Sequence, residues 1–411
     1  MERLLALFLL MGAGGSAASQ TMIPLQVLPT TQVAPILNSD PRVASAKANM
    51  EAAFEEAGLI RRSPYEWIAT ATAQERRVKS GPNYNEWNVG VERTIRLPGK
   101  VNADQGISDA TIEEAKASYG EARHEAAREF MTLWLDWLAA EHSLDIAQKG
   151  VSSAKQSLGA VQKRNQAGDA SNLDVNLAQA ELADQRRQTN EAKVLVSSTW
   201  ARLSGRFPGL PRDKMALPQP IKDLGSELTW RERILAESDE IRRINATFLK
   251  SQGQSARAKA DKLPDPTLGV FTTSEQGNRE RLYGVSVSMP IPSGARSARY
   301  SRALAQEEAA RLDAELVRRQ AEANVARDYA VAVGAFDSFT MAQDGAQAMA
   351  RNEAQMQRAY ELGEVDLQSL LLARRQALTA ATNALDAHVE SLRTHLSLLI
   401  DAHWIWGLEE A

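Results

Sequence analysis

The residues of this sequence that could bind a metal or transfer protons include its histidines and carboxylates, whereas the chain contains no cysteine. That absence excludes disulfides, thiolate metal ligands and a cysteine nucleophile. No histidine stands in a metal-binding spacing such as HExxH, and no nucleophile elbow, phosphate-binding loop or dinucleotide fingerprint occurs. We therefore expect no enzyme activity, no catalytic residue, no cofactor and no metal ligands. The histidines are His124, His142, His388, His395 and His403.

The carboxylates that stand out flank two glycines, Gly168 and Gly363, which interrupt long helical patterns. A glycine in such a place predicts a left-handed residue that ends one helix before the next begins. Acidic residues near the start of a helix stabilise it as caps or through the helix dipole. We interpret Asp169 and Glu364 as caps, with gating or docking as the alternative. The other acidic residues at these turns are Asp174, Glu361 and Asp366.

The elements on either side of these glycines are helices of unusual length. No proline occurs between about residues 102 and 166, or between about 295 and 362. About 65 helical residues make a rod roughly 100 Å long. After Gly363 leucines recur every seven residues, which predicts coiled-coil packing. His388 and His395 each follow one of them by three residues and so border the packed seam. The leucines are Leu371, Leu378, Leu385, Leu392 and Leu399.

The two halves of the sequence resemble each other. The segments around Gly168 and Gly363 share a basic residue, a glycine and an acidic residue in order, and lie 195 positions apart. Strand-like segments around Gly90 and Gly284 lie 194 positions apart. The sequence therefore predicts a tandem duplication, with a proline- and glycine-rich break between the copies. The predicted division is a signal peptide at 1–18, an N-terminal extended segment at 19–40, a first repeat at 41–205, a linker at 206–227 and a second repeat at 228–411.

The N-terminus has the features of a secretory signal. Arg3 precedes an apolar run from Leu4 to Met11, and Ser16 and Ala18 frame a small-residue cleavage site. Because Glu2 offsets the charge of Arg3, a buried first helix is the alternative. The net charge of -4 does not favour binding to nucleic acid or to an anionic membrane surface. We expect an exported protein.

Each repeat is expected to begin with a helix, at about 41–60 and about 228–262, followed by a pair of strand-like segments. The clearest segment places Tyr283, Val285, Val287 and Met289 on one face and small or polar residues on the other. This period of two is typical of a strand with one apolar and one polar face. Strands of about ten residues cross a bilayer when tilted, but four strands cannot close a barrel, so a membrane position requires an oligomer. A small hairpin outside the membrane is the alternative.

An exported, duplicated chain with a strand pair and long coiled coils in each half, and a glycine turn preceded by tyrosine, resembles the TolC-like outer membrane factors. The resemblance covers nearly the whole mature chain. It implies a mainly α protein with a small β part, built from long coiled-coil hairpins and two β-hairpins in a tandem duplicated unit. It also implies a homotrimer whose twelve strands form a β-barrel on an α-helical barrel. The implied location is the outer membrane of a Gram-negative bacterium, with the helices in the periplasm.

The same resemblance implies an exit duct for a tripartite efflux pump or a type I secretion system. The implied partners are outer membrane lipid, a periplasmic adaptor and an inner-membrane transporter of the resistance-nodulation-division type. The segment IRLPGK, residues 95–100, is similar to a signature of heavy-metal efflux members, which favours metal-cation efflux over drug or protein export. The alternative function is a secreted coiled-coil structural or adaptor protein that never enters the membrane.

Residue by residue, the resemblance assigns the periplasmic tip to the turns at Gly168 and Gly363. It places Tyr360 and Asp174 where the family has a tyrosine and an aspartate that help to latch the tip closed. The arginine that completes this latch is replaced here by Val365. We therefore expect that the family's latch is not intact in this chain.

The ring of acids that narrows the tip in the family is also altered. Ser369 and Leu372 stand at its positions in this sequence. We expect no acidic ring there, and Glu364 or Asp366 is the nearest substitute.

Overall fold

The computed structural model describes residues 27–408, so the predicted signal peptide at 1–18 lies outside the described residues. The chain is mainly helical, with four strands of 9 to 11 residues. In chain order the elements are α1 (Thr30–Asn38), α2 (Pro41–Arg61), β1 (Ile68–Arg76), β2 (Tyr84–Thr94), α3 (Pro98–Gln166), α4 (Asn172–Arg206), α5 (Glu227–Glu237), α6 (Asp239–Ala260), β3 (Thr267–Glu275), β4 (Glu280–Ser288), α7 (Gly294–Leu362) and α8 (Leu367–Asp401).

Two long helical hairpins form the body of the molecule. The helices α3 and α7 have 69 residues each, and α4 and α8, which pack back along them, have 35 residues each. At about 1.5 Å per residue the longer helices extend over about 100 Å. Of the seam leucines on α8, Leu371, Leu392 and Leu399 are buried, whereas Leu378 and Leu385 are half-buried. The predicted fold class, a mainly α protein of long helical hairpins with a small β part, is confirmed.

The four strands form one antiparallel sheet in the order β1-β2-β3-β4. Pairing between β2 and β3 joins the hairpin of the first half to the hairpin of the second. Phe271 on β3 lies between Gly90 on β2 and Gly284 on β4. A Cβ atom at Gly284 would collide with the ring of Phe271, so this glycine makes the space that the ring fills. The β1 and β4 strands are the two edges of the sheet.

One face of the sheet is apolar and open to solvent. Tyr283 and Val285 on β4 are each 79% exposed, and Val287 is also exposed on this face. Met289 lies just beyond the end of β4. The opposite face is mainly polar, and there the side-chain amide of Asn88 donates to Thr273. Two apolar rows cross all four strands, one with Ala69, Val91, Val270 and Val285 and the next with Ala71, Val89, Thr272 and Tyr283.

The largest core surrounds the middle of α3. Phe130 on α3 makes edge-on ring contacts with Phe207, just after α4, and with Trp406, just after α8, each at 5.4 Å between ring centroids. The indole N–H of Trp406 donates to the carbonyl of Leu28 at 3.0 Å. The described segments before α1, after α4 and after α8 therefore all pack into one core at the middle of α3.

Two expected elements differ in the structure. The N-terminal segment is not extended throughout, because α1 forms and buries Val33 and Leu37 against the core. The single helix expected at 228–262 is divided into α5 and α6 at Ser238. There the backbone leaves the helical region, and the hydroxyl accepts from the Ile241 amide as the N-cap of α6. None of the described helices is both long and apolar enough to cross a lipid bilayer.

Candidate functional site

The two helical turns at one end of the hairpins form the first part of the candidate site. Gly168 and Gly363 both have positive φ, 85° and 79°, as a left-handed glycine at a helix end requires. In each turn the amide after the glycine bonds back to the end of the helix, a Schellman-type cap. The two turns are therefore built alike. The bonds run from Asp169 N to Arg164 O (2.8 Å) and from Glu364 N to Ala359 O (2.9 Å).

The helices that follow the turns are capped by residues other than those expected. The carboxylate of Asp366 accepts from the amide three residues later at 2.8 Å, and this bond lowers the pKa of Asp366. In the first turn Ser171 and Asp174 cap each other reciprocally, with bonds of 3.0 and 3.1 Å. The capping role expected of Asp169 and Glu364 is wrong, because the connection continues past both residues before the next helix begins. Both side chains lie exposed at the turn surface.

A small apolar core lies directly beneath the turns. It contains side chains from both hairpins, so the hairpins pack against each other here. Val365 packs at its edge, which means that the position of the family's latch arginine is apolar in this chain. The buried members are Val161, Ala178, Tyr360, Leu367, Leu370 and Leu371.

Tyr360 meets a cation at the turns, but the cation comes from the other hairpin. The guanidinium of Arg164 on α3 lies 5.1 Å from the centroid of the Tyr360 ring. One of its nitrogens also donates to the Tyr360 carbonyl at 3.5 Å. The carboxylate of Asp174 instead bonds to Ser171. Within the described structure Tyr360 and Asp174 form no latch, and Arg164 provides a contact between the hairpins.

Arg374 on α8 makes the second polar contact between the hairpins. Its side chain is buried, and it donates to the carbonyl of Ser153 on α3 at 3.3 Å and to the hydroxyl of Ser157. It also donates to Gln357 on α7 at 2.5 Å and lies 3.5 Å from a carboxylate oxygen of Glu353. Burial lowers the pKa of Arg374. Sequence reasoning missed this residue, although it follows the seam leucine Leu371 by three positions and so has the same heptad position as His388 and His395.

The acidic residues of the second turn lie on its surface. Glu361, Glu364 and Asp366 are all exposed. Hydrogen bonds from Gln357 and Arg358 lower the pKa of Glu361. The two positions of the family's acidic ring carry no charge, since Leu372 is exposed and Ser369 is half-buried. The negative charge therefore lies at the outermost part of the turn.

A second polar group ties the sheet to the helices. Lys100, in the first turn of α3, is buried, and its amine lies 3.0 Å from Asp265 and 3.2 Å from Asp261. Asp265 also accepts from the hydroxyl of Tyr65 at 2.7 Å and from the amide of Leu97 at 3.0 Å. Burial raises the pKa of Asp265, but these bonds and the charge of Lys100 together hold it below its ordinary value. The segments that enter β1 and β3 are thus joined to the start of α3.

Replacing Gly363 by valine is expected to destabilise the second turn. A Cβ atom there would meet no other atom within 4 Å, so the cost comes from the backbone. A residue with a Cβ loses about 1–2 kcal/mol in the left-handed conformation, and β-branched residues adopt it least readily. The measurement is the thermal midpoint of the purified protein. Gly345→Val is the control, because Gly345 also faces open space but lies inside α7. Equal midpoints for the two variants would contradict the conformational role of Gly363.

Comparison with known proteins identifies a matching sequence family and several solved structures with a similar fold. Residues 34–205 match the sequence model of the outer membrane efflux protein family. No curated protein matches the chain. Among solved structures, CusC, described as forming a transmembrane channel, is 16% identical with a TM-score of 0.74, and the alignment covers 91% of each chain. The CmeC outer membrane channel of Campylobacter jejuni is 17% identical with a TM-score of 0.73, over 92% of this chain and 85% of that one.

A third similar structure supports the same assignment. The outer membrane protein VceC of Vibrio cholerae is 15% identical with a TM-score of 0.74, over 91% of this chain and 95% of that one. At such identities the structural likeness establishes the fold. The predicted resemblance is confirmed: this chain has the fold of the TolC-like outer membrane channels, and residues 34–205 carry the sequence pattern of the outer membrane efflux protein family.

Proposed function

We propose that this protein is the outer membrane exit duct of a tripartite efflux system. The observation that carries the proposal is the exposed apolar face of the four-stranded sheet, at the far end of the molecule from the helical turns. Val91, Val270 and Val285 lie side by side on this face and are 38%, 60% and 79% exposed. An apolar band of this kind is stable when it contacts lipid.

The sheet also supports the proposal of a homotrimer. Its edge strands, β1 and β4, are free to pair with neighbouring copies, and three copies of four strands supply the twelve strands of a closed barrel. In this arrangement the mainly polar face, with Thr72, Asn88 and Thr273, lines the interior. The helical hairpins then extend about 100 Å from the membrane into the periplasm.

The two turns are proposed as the periplasmic tip. Their exposed acids, Glu361, Glu364 and Asp366, supply a charged surface for a periplasmic adaptor, and the adaptor connects the duct to an inner-membrane transporter. The contacts of Arg164 with Tyr360 and of Arg374 with the other helices hold the hairpins together, as a closed tip requires. We infer that the transporter is of the resistance-nodulation-division type.

The cargo is proposed to be a metal cation in preference to a drug. The support is the similarity of residues 95–100 to a heavy-metal efflux signature. The alternative function, a periplasmic coiled-coil protein outside the membrane, leaves the apolar face of the sheet without a partner.

Membrane fractionation tests the proposal. We expect the protein in the outer membrane fraction, extractable only with detergent and crosslinked as a trimer. Val285→Arg is expected to reduce the amount of inserted trimer, because a cation on the lipid face costs about 2–4 kcal/mol near the bilayer midplane. Thr72→Arg, on the polar face, is the matched control and should insert normally. Recovery of the unmodified protein as a soluble periplasmic monomer would overturn the proposal.

A further inference from the structure

A cavity of about 410 Å³ lies beside the middle of α3, away from both the turns and the sheet. Its walls bring together one face of α3, the start of α6 and the segment after α8. The seam side of α8 and one face of α7 complete it. The acidic and histidine side chains of α3, α6 and the C-terminal part that line it are Glu121, His124, Asp239, Glu240, Asp401 and His403.

Three possible metal ligands lie together on α3, and two of them, Glu121 and His124, line this cavity. Glu121, His124 and Glu125 have spacings that place them on one face of the helix. One ligand atom from each of them lies within 4.8 Å of the others. One imidazole with two carboxylates is a mixed nitrogen and oxygen donor set, which suits zinc and the neighbouring divalent transition metals.

Asp239, across the cavity, is an independent sign of a ligand site, because it is buried and one of its oxygens has no hydrogen-bond partner in the described structure. It is 4% exposed, and the oxygen without a partner is Oδ2. The imidazole of His403 lies 3.9 Å from this oxygen, and Arg242 donates a long bond of 3.4 Å to Oδ1. A Cβ atom at Gly120 would collide with this carboxylate, so the helix makes room for it one turn before His124.

The arginines that line the cavity, Arg128, Arg327 and Arg393, pair with acids other than Asp239. Arg128 lies 2.8 Å from Asp401 and 3.4 Å from Glu125, and Arg393 lies 2.9 Å from Asp136. Arg327 pairs with its neighbour Asp328.

The ring of His124 is already oriented by a carboxylate. Its Nε2 atom lies 3.1 Å from Asp401, which Arg128 holds in turn. Metal-binding imidazoles are commonly fixed by a carboxylate in this way, because the contact sets the tautomer and the ring direction.

We propose that Glu121, His124 and Glu125 bind one divalent transition-metal ion, of the zinc, cobalt or nickel class, with the carboxylate of Asp239 facing the same ion. The ion joins α3 to the start of α6, near the place where the described segments before α1 and after α8 pack over the core. This site is independent of the proposed transport function, since it lies among the helices beside the middle of α3 and requires no cargo or partner.

Zinc binding to the detergent-solubilised, tag-free protein tests the site. After treatment with EDTA, the protein is dialysed against zinc chloride, and bound zinc is measured by elemental analysis. We expect about one zinc ion per chain, an increase in thermal midpoint on zinc addition, and no comparable effect of magnesium. Glu121→Gln and His124→Gln are each expected to weaken zinc binding about tenfold or more.

His142→Gln is the matched control, because His142 lies on the same helix but contacts the carbonyl of Met215 outside the cavity. It should bind zinc like the unmodified protein. If His124→Gln folds poorly by circular dichroism, Glu121→Gln decides, since it keeps the shape of the side chain. Zinc binding that is absent from the unmodified protein, or equal in Glu121→Gln and His142→Gln, overturns the proposal.

Discussion

The Arg374→Leu variant is expected to lose about 3 kcal/mol of local stability where the two hairpins meet. Arg374 is 8% exposed, and its guanidinium joins α8 to Ser157 on α3 and to Gln357 and Glu353 on α7. Its removal leaves these polar partners unsatisfied in a place that water reaches poorly. The loss therefore exceeds that of a surface ion pair, which is about 1 kcal/mol at most.

Amide hydrogen exchange measures this effect locally. A loss of that size corresponds to exchange about 100-fold faster, expected for the backbone of residues 153–157 and 353–357. Arg375→Leu is the matched control, because Arg375 is the next residue on α8 and is exposed. If the protein is a duct, Arg374→Leu should also raise its conductance in planar bilayers. Equal protection in the two variants would show that Arg374 does not hold the hairpins together.

The long helices and their turns could be predicted because their signals are local. A proline-free stretch and a leucine every seventh residue follow from the sequence alone, and so does a glycine between two such stretches. Gly168 and Gly363 have the left-handed backbone that this pattern requires. The strand of Tyr283, Val285 and Val287 could also be predicted from the sequence, since an alternation with a period of two shows directly which side chains share a face.

Helix ends were less predictable, because a cap depends on the path of the turn. Glu364 and Asp366 are both acids within a few residues of Gly363. Only the conformation of the turn decides that the helix begins at Leu367, so that Asp366 is the cap. At Ser238 the side chain bonds to the backbone as the N-cap of α6. This bond divides α5 from α6, where the sequence pattern indicates one helix.

Contacts between distant segments could not be derived from the sequence. The position of Arg374 beside a seam leucine indicates burial, but it does not identify Ser157 as its partner. Glu121, His124 and Glu125 share a helical face, yet such spacing is common on charged helices and does not by itself indicate a metal site. The three residues indicate a metal site only together with Asp239, which the fold brings from α6.

The Lys100→Met variant is expected to lose about 3 kcal/mol of stability at the junction of sheet and helices. Methionine keeps the length of the side chain but removes the only cation that lies against the buried carboxylate of Asp265 in the described structure. The bonds from Tyr65 and from the Leu97 amide remain, and they do not neutralise the charge. Thermal unfolding of the purified protein is the measurement. Lys116→Met is the control, because Lys116 forms only an exposed pair with Glu113 and its loss costs at most about 0.5 kcal/mol.

The pH dependence of this variant distinguishes a lost charge pair from a simple packing defect. Because the pKa of Asp265 is lowered on folding, its ionised form stabilises the protein above the unfolded pKa. This stability is lost as the pH falls through the folded pKa. The difference between Lys100→Met and the unmodified protein should therefore be largest near neutral pH and should shrink in acid. A second change, Asp265→Asn, should restore part of the stability of Lys100→Met at neutral pH, because it removes the uncompensated charge. A difference that is constant with pH, with no such recovery, would mean that Lys100 acts through packing alone.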